Sequence, residues 1–121
     1  MNIYRVEHKN GDGIIMATDR KGCSLYLKMN SSFIDRYGKF PLPDEDELIN
    51  RLPKRNEYCA FKNRKDLKKW INKDELKELI NLNFNVHKIS IKKENLIIGK
   101  YQILFKKEDV VENFVINNDF L

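Results

Sequence analysis

The chain is poor in the residues that build covalent or metal-held scaffolds. Only two cysteines, Cys23 and Cys59, occur among 121 residues, far apart and without CxxC spacing. That excludes a disulfide-dense secreted framework, and reduced thiols are the expected state. Two histidines, His8 and His87, have no Cys or His at ligand spacing, so no metal site is expected. No apolar run approaches the roughly 20 residues of a membrane-crossing helix. The N-terminus also lacks the basic-then-apolar layout of a signal peptide, so the expected location is the cytoplasm of the cell that makes the chain, with no membrane partner. The four serines read as candidate nucleophiles, Ser24, Ser31, Ser32 and Ser90, sit in no nucleophile-elbow context. Nothing in the sequence names a reaction or a cofactor.

What is present fits one soluble domain over residues 1–121, with 41% hydrophobic and 34% charged residues. The net charge is +5, yet lysine (17) far outnumbers arginine (6) and asparagine reaches 14, a bias expected of an AT-rich coding sequence. A lysine surplus mixed with acids is usually a solvated surface, so specific nucleic-acid binding is not expected. Charge is uneven, however. Residues 54–73 carry Lys54, Arg55, Lys62, Arg64, Lys65, Lys68, Lys69 and Lys73 against Glu57 and Asp66, eight minus two, or +6. Such a face attracts phosphate-bearing or acidic partners.

Period-two patterning predicts a strand over 2–7, with Tyr4 and Val6 on one side and Ile3, Arg5 and Glu7 on the other. Gly11 and Gly13 then open a polar turn. Ile14–Met16 and Ser24–Leu27 read as short strands, and 31–38 as a helical turn ended by Gly38. Pro41 and Pro43 enforce an extended connection, and Asp44–Glu47 open a short helix through Arg51. Tyr58–Phe61 reads as a buried strand. Two capped helices follow. Asn63 caps the first, with stripe Leu67, Trp70, Ile71; Asn72 with Glu75 caps the second, with stripe Leu76, Leu79, Ile80. Phe84–Ile91 reads as a strand whose apolar parity changes, predicting a bulge or burial on both faces. Ile97–Lys106 reads as one further strand. Residues 108–121 leave open a short helix, an added strand or a docking tail. The order predicts α+β, a single domain with a largely antiparallel sheet and two to four short helices.

The polar chemistry concentrates at the start. Arg5 offers a planar fork for phosphate or carboxylate, and His8 is an acid, base or donor near neutral pH. The alternative is that Arg5 pairs with Glu7 on a solvated sheet face. The glycine turn is neither a dinucleotide fingerprint nor a P-loop. Lys62 and Arg64, where a strand passes into a helix, suit an anion, or else flank an ordinary cap. Tyr4, Phe61 and Trp70 offer aromatic faces, although Trp70 at stripe spacing reads as core. Gln102 points opposite Tyr101 and Ile103, toward a cleft or toward water. The expected ligand-binding set is Tyr4, Arg5, His8, Phe61, Lys62, Arg64 and Gln102.

Four short patterns recur in order: Tyr4-Arg5-Val6-Glu7-His8 with Gly11-x-Gly13; Pro41-x-Pro43-x-x-Asp46; Cys59-Ala60-Phe61-Lys62 with Leu67 and Trp70; and Gly99-Lys100-x-Gln102-Ile103-x-Phe105. Together they resemble a family of small phage and prophage accessory proteins. The resemblance implies action against host defence and carries no settled chemistry. A first-strand Arg, a strand-to-helix unit and a late strand also look similar to the ADP-ribosyltransferase-like fold. Only Arg5 matches there. The Ser-Thr-Ser strand is absent, and Gln102 stands where a catalytic Glu is needed, so the likeness implies binding without turnover. The expected activity is counter-defence by sequestering a nucleotide-like ligand, an ADP-ribose derivative or a cyclic nucleotide signal. The alternatives are a protein-binding inhibitor of a host defence complex such as CRISPR-Cas, and an ADP-ribosyltransferase-type enzyme. A homo-oligomer stands among the expected states, because small sheets with open edges often pair.

Overall fold

The computed structural model describes residues 1–13, 20–23, 25, 48–51, 53–100 and 102–119. Its centre is a six-stranded sheet: β1 (Asn2–His8), β2 (Glu57–Phe61), β3 (Phe84–Ile91), β4 (Ile97–Ile98), β5 (Gln102–Lys106) and β6 (Val110–Val115). The spatial order is β4-β5-β2-β1-β3-β6, and every neighbouring pair is antiparallel. Two helices, α1 (Arg64–Trp70) and α2 (Lys73–Asn81), lie between β2 and β3 in the chain. The expected α+β class with an antiparallel sheet is the observed one.

Both faces of the sheet are buried, by different means. On the helix face, Tyr4, Val6, Phe61, Phe84 and Val86 pack with Leu67, Ile71, Leu76 and Leu79. On the far face, Ile3, Ala60, Ile89, Ile91, Ile103 and Phe105 form a second cluster. Strand β3 serves both, with Val86 on the helix side and Ile89 and Ile91 on the far side. This is why its apolar parity changes. It stays in unbroken register with β1 from Asn2↔Ser90 to His8↔Phe84, and the irregularity falls instead against β6, between Ser90 and Ile91.

The helices begin where asparagine accepts an orphan backbone N–H. Asn63 Oδ1 accepts from the Asp66 amide at 2.8 Å. At α2 the cap is reciprocal: Asn72 Oδ1 accepts from the Glu75 amide at 2.8 Å, and Glu75 Oε1 accepts from the Asn72 amide at 2.9 Å. Asn83, at φ +69, turns the chain from α2 into β3. Its carbonyl accepts from the Lys9 amide at 3.0 Å, tying that turn to the end of β1.

Two expectations change, and one open alternative is resolved. The single strand over Ile97–Lys106 is a hairpin: Gly99 N–H donates to the Gln102 carbonyl at 2.8 Å, folding the two-residue β4 back on β5 with Ile98 opposite Ile103. Glycine is the break that the alternating pattern concealed. The helix expected through Arg51 is a turn over its described part, residues 48–49, with Asn50 at φ +48. Within the ending left open at 108–121, the described residues form mainly an added strand, β6. The expectations for Ile14–Met16, Ser24–Leu27 (apart from the buried Leu25), 31–38, Lys39–Pro43 and Asp44–Glu47 fall outside the described residues.

The segment before β2 is held by a fork. Arg51 donates from Nη1 and Nη2 to the two Glu57 carboxylate oxygens at 2.6 and 2.9 Å, and the Lys54 amide donates to Oε1 at 2.7 Å. The hydrogen bonds from Arg51 lead in holding the Glu57 carboxyl at about 2, below its ordinary 4.5 and against the opposite push of burial. Because the folded carboxyl is the more acidic, its contribution is complete above about pH 4.5 and disappears as the pH falls toward 2. Acid titration of the melting temperature should therefore show a loss across that window, and Arg51→Met should flatten it. Asn72→Ala should cost about 1 kcal/mol in urea denaturation, the usual value of an N-cap.

Candidate functional site

Strand β1 is central, and its far-face side chains in order are Ile3, Arg5 and Glu7. Arg5 is 7% exposed and Glu7 8%. A buried guanidinium requires partners on all sides, and Arg5 has them. Its Nε donates to Glu7 Oε2 at 2.9 Å, Nη1 to the Cys59 carbonyl at 2.6 Å, and Nη2 to the Gly11 carbonyl at 3.4 Å. The guanidinium carbon lies 5.3 Å from the centre of the Tyr58 ring and 6.0 Å from that of Phe105. The Arg5–Glu7 pair foreseen for a solvated face thus exists in a buried one.

The turn after β1 is tight. Gly11 N–H donates to the His8 carbonyl at 2.7 Å, and His8 N–H to the Asp12 carbonyl at 2.8 Å. Gly11 sits at φ +94, and a Cβ there would collide with Lys107 Nζ. The Gly11 carbonyl consequently accepts from Lys107 Nζ at 2.9 Å as well as from Arg5. Lys107, in the short 3₁₀ turn Lys107–Asp109, also stands 4.4 Å above the Tyr58 ring and 3.9 Å from Glu7 Oε2.

Strand β3 completes the cluster. Register places His87 opposite Arg5 and beside Val115 of β6. His87 Nδ1 is 2.7 Å from Asn113 Oδ1, and Nε2 is 3.6 Å from Glu7 Oε1, an ion pair when the imidazole is protonated. Glu7, Ile89, Phe105, Lys107, Val110 and Asn113 enclose a recess of about 160 Å³. It combines an apolar wall with a carboxylate, an ammonium and an amide. Both Glu7 oxygens face cations or the imidazole.

The seven sequence-selected residues divide between the two faces. Only Arg5 belongs to the far-face cluster. Tyr4, Phe61 and Gln102 form a row across β1, β2 and β5 on the helix face. Arg64 stands 5.6 Å over the Tyr4 ring, and Phe61 packs 5.3 Å from Trp70. Lys62 is half-buried between that row and α1. His8 lies at the other end of the helix face, with its ring edge-on to Phe84 at 5.2 Å. Residues missed by sequence reasoning are Tyr58, Lys107, Asn113 and the role of His87. The parity of β3 was the available signal for His87, since it alternates with Val86 on the opposite face. The other three depend on register, which no local pattern encodes.

Both cysteines are free, and burial pushes the Cys59 thiol from 9.0 to about 11. Among the described residues no cluster of His, Cys, Asp or Glu could hold a metal ion, and no helix is long and apolar enough to cross a membrane.

Fold and cluster define a small open-sheet α+β protein with a polar recess preformed beside its central strand. The chain belongs to the Bacteriophage T4 Y00F protein family, whose model matches residues 1–117. No curated protein and no solved structure matches it.

Removing the Arg5 side chain leaves Glu7 buried beside a vacated space. Arg5→Met should therefore cost about 3 kcal/mol in chemical denaturation, as breaking one side of a buried pair does. R5M/E7L should recover part of that loss.

Proposed function

We propose that this phage protein acts in counter-defence by taking up a nucleotide-like ligand, an ADP-ribose derivative or a cyclic nucleotide signal, and holding it without turnover. The observation that carries this reading is the far-face recess. Glu7 and Lys107 line it, and Arg5 pairs with Glu7 beside it, so these three groups together carry one net positive charge. Glu7 is neutralised by Arg5, so the half-exposed Lys107 ammonium is the group an arriving anion meets. His87 adds a second positive charge when protonated. The recess, about 160 Å³, is below the roughly 300 Å³ at which whole drug-sized ligands are enclosed. It suits a phosphate-bearing end, with sugar carbons against Phe105 and Val110 and the base outside. The occupied state of Glu7 favours binding over an ADP-ribosyltransferase-type reaction, which incubation with labelled NAD would reveal.

A second reading is favoured by α1. Lys65, Lys68 and Lys69, with Lys73 just beyond, are exposed on one basic surface. A protein-binding inhibitor of a host defence complex such as CRISPR-Cas would use that surface against an acidic partner, and pull-down from host lysate tests it.

Isothermal titration with ADP-ribose and with cyclic dinucleotides should give binding to the wild-type chain. Lys107→Ala should weaken it about tenfold, the worth of one charge-assisted hydrogen bond. Its melting temperature should stay near wild type. Silence with every ligand, or unchanged affinity in Lys107→Ala, overturns the recess as the site.

A further inference from the structure

The two edges of the sheet are built differently. At one end, β4 has two residues and is flanked by the exposed Lys92, Lys93 and Lys100. Short length and lysine are the usual protections of an edge. At the other end, β6 spans six residues, Val110–Val115, with no lysine, arginine or proline. Val111 is 64% exposed, Phe114 54% and Val115 56%. Among the described residues nothing pairs with its outer side.

The backbone of β6 is oriented for a further strand. Ile116 N–H donates inward to the Val86 carbonyl at 2.9 Å. Alternation then turns the N–H and C=O of Asn113 and Val115 outward. We propose that β6 pairs antiparallel with β6 of a second copy of this chain, about a two-fold axis at Asn113, joining two sheets into one.

Charge and shape select this occupant and this register. With the axis at Asn113, Val111 faces Val115 of the second copy, Glu112 faces its Phe114, and the two Asn113 backbones exchange hydrogen bonds. Apolar β-branched residues meet each other, and no like charges are opposed. With the axis one residue earlier, two Glu112 carboxylates stand face to face. A basic peptide would satisfy Glu112 alone and leave the valines without matching partners. The strand pair is small for an interface, at the end below roughly 1,200 Å², so association is reversible and concentration-dependent.

Sedimentation velocity of the full chain across a dilution series tests the pairing. The expected mass rises from 14.5 kDa toward twice that value with concentration. Val115→Lys, at an exposed site away from the recess lining, should remain monomeric at every concentration with an unchanged melting curve. Hydrogen exchange supplies an independent readout, since the Asn113 and Val115 amides should slow as the wild-type concentration rises. A wild-type chain that stays monomeric throughout overturns the proposal. So does a Val115→Lys chain that associates as the wild type does, or association without slowing of these two amides.

Discussion

A charged pair inside a protein is costly to desolvate, and its persistence depends on how completely its remaining donors are used. Arg5 and Glu7 sit two residues apart on the central strand, and the surrounding far-face structure is arranged to meet that requirement. The backbone pairing of β1 with β2 is registered at Tyr4 opposite Phe61, and Arg5 extends the connection by reaching the Cys59 carbonyl. The glycine turn bends so that its own carbonyl meets both Arg5 and Lys107. Tyr58 and Phe105 present ring faces to the guanidinium, and Lys107 crowns the Tyr58 ring. Arg5 thereby ties the loop to a neighbouring strand, and Lys107 ties the turn after β5 to the same loop carbonyl.

The sheet divides its work between its faces. The helix side is closed by aliphatic packing, and its aromatic row of Tyr4, Phe61 and Trp70 contributes to that closure. The far side mixes an aliphatic cluster with the Arg5, Glu7, His87, Asn113 and Lys107 network. Any chemistry addressed to the recess therefore comes from strand positions of one parity, with Lys107 added from the adjoining turn. The residues that look most ligand-like along the sequence are largely engaged in the other layer.

Local grammar was well preserved in the sequence. Asn63 and Asn72 mark both helix starts, the stripe residues Leu67, Leu76 and Leu79 are buried, and the alternation of Ile3, Arg5 and Glu7 gives the correct face of β1. These signals are legible because capping and periodicity act over a few residues. The hairpin at Gly99 was hidden because Ile103 and Phe105 keep the same alternation that a longer strand would show. The site was only partly legible. Arg5 was selected for its chemistry, but its burial and its partners depend on Cys59, Tyr58 and Lys107, which reach it only through strand register. Tyr4, Phe61 and Gln102 lie in one row on the helix face while Arg5 lies on the far face, because successive side chains of a strand point to opposite faces.

The central position of β1 also bears on how the chain acquires its shape. Strand β1 has both its sheet neighbours, β2 and β3, far downstream in the chain. During translation it must wait, with a guanidinium and a carboxylate still hydrated, until the middle of the chain has emerged. Such distant pairing is slow to close because the intervening loop entropy is lost before the ladder rewards it. Helices α1 and α2, each capped from within its own neighbourhood, can form beforehand. The ordering of the sheet thereby follows that of the locally capped helices.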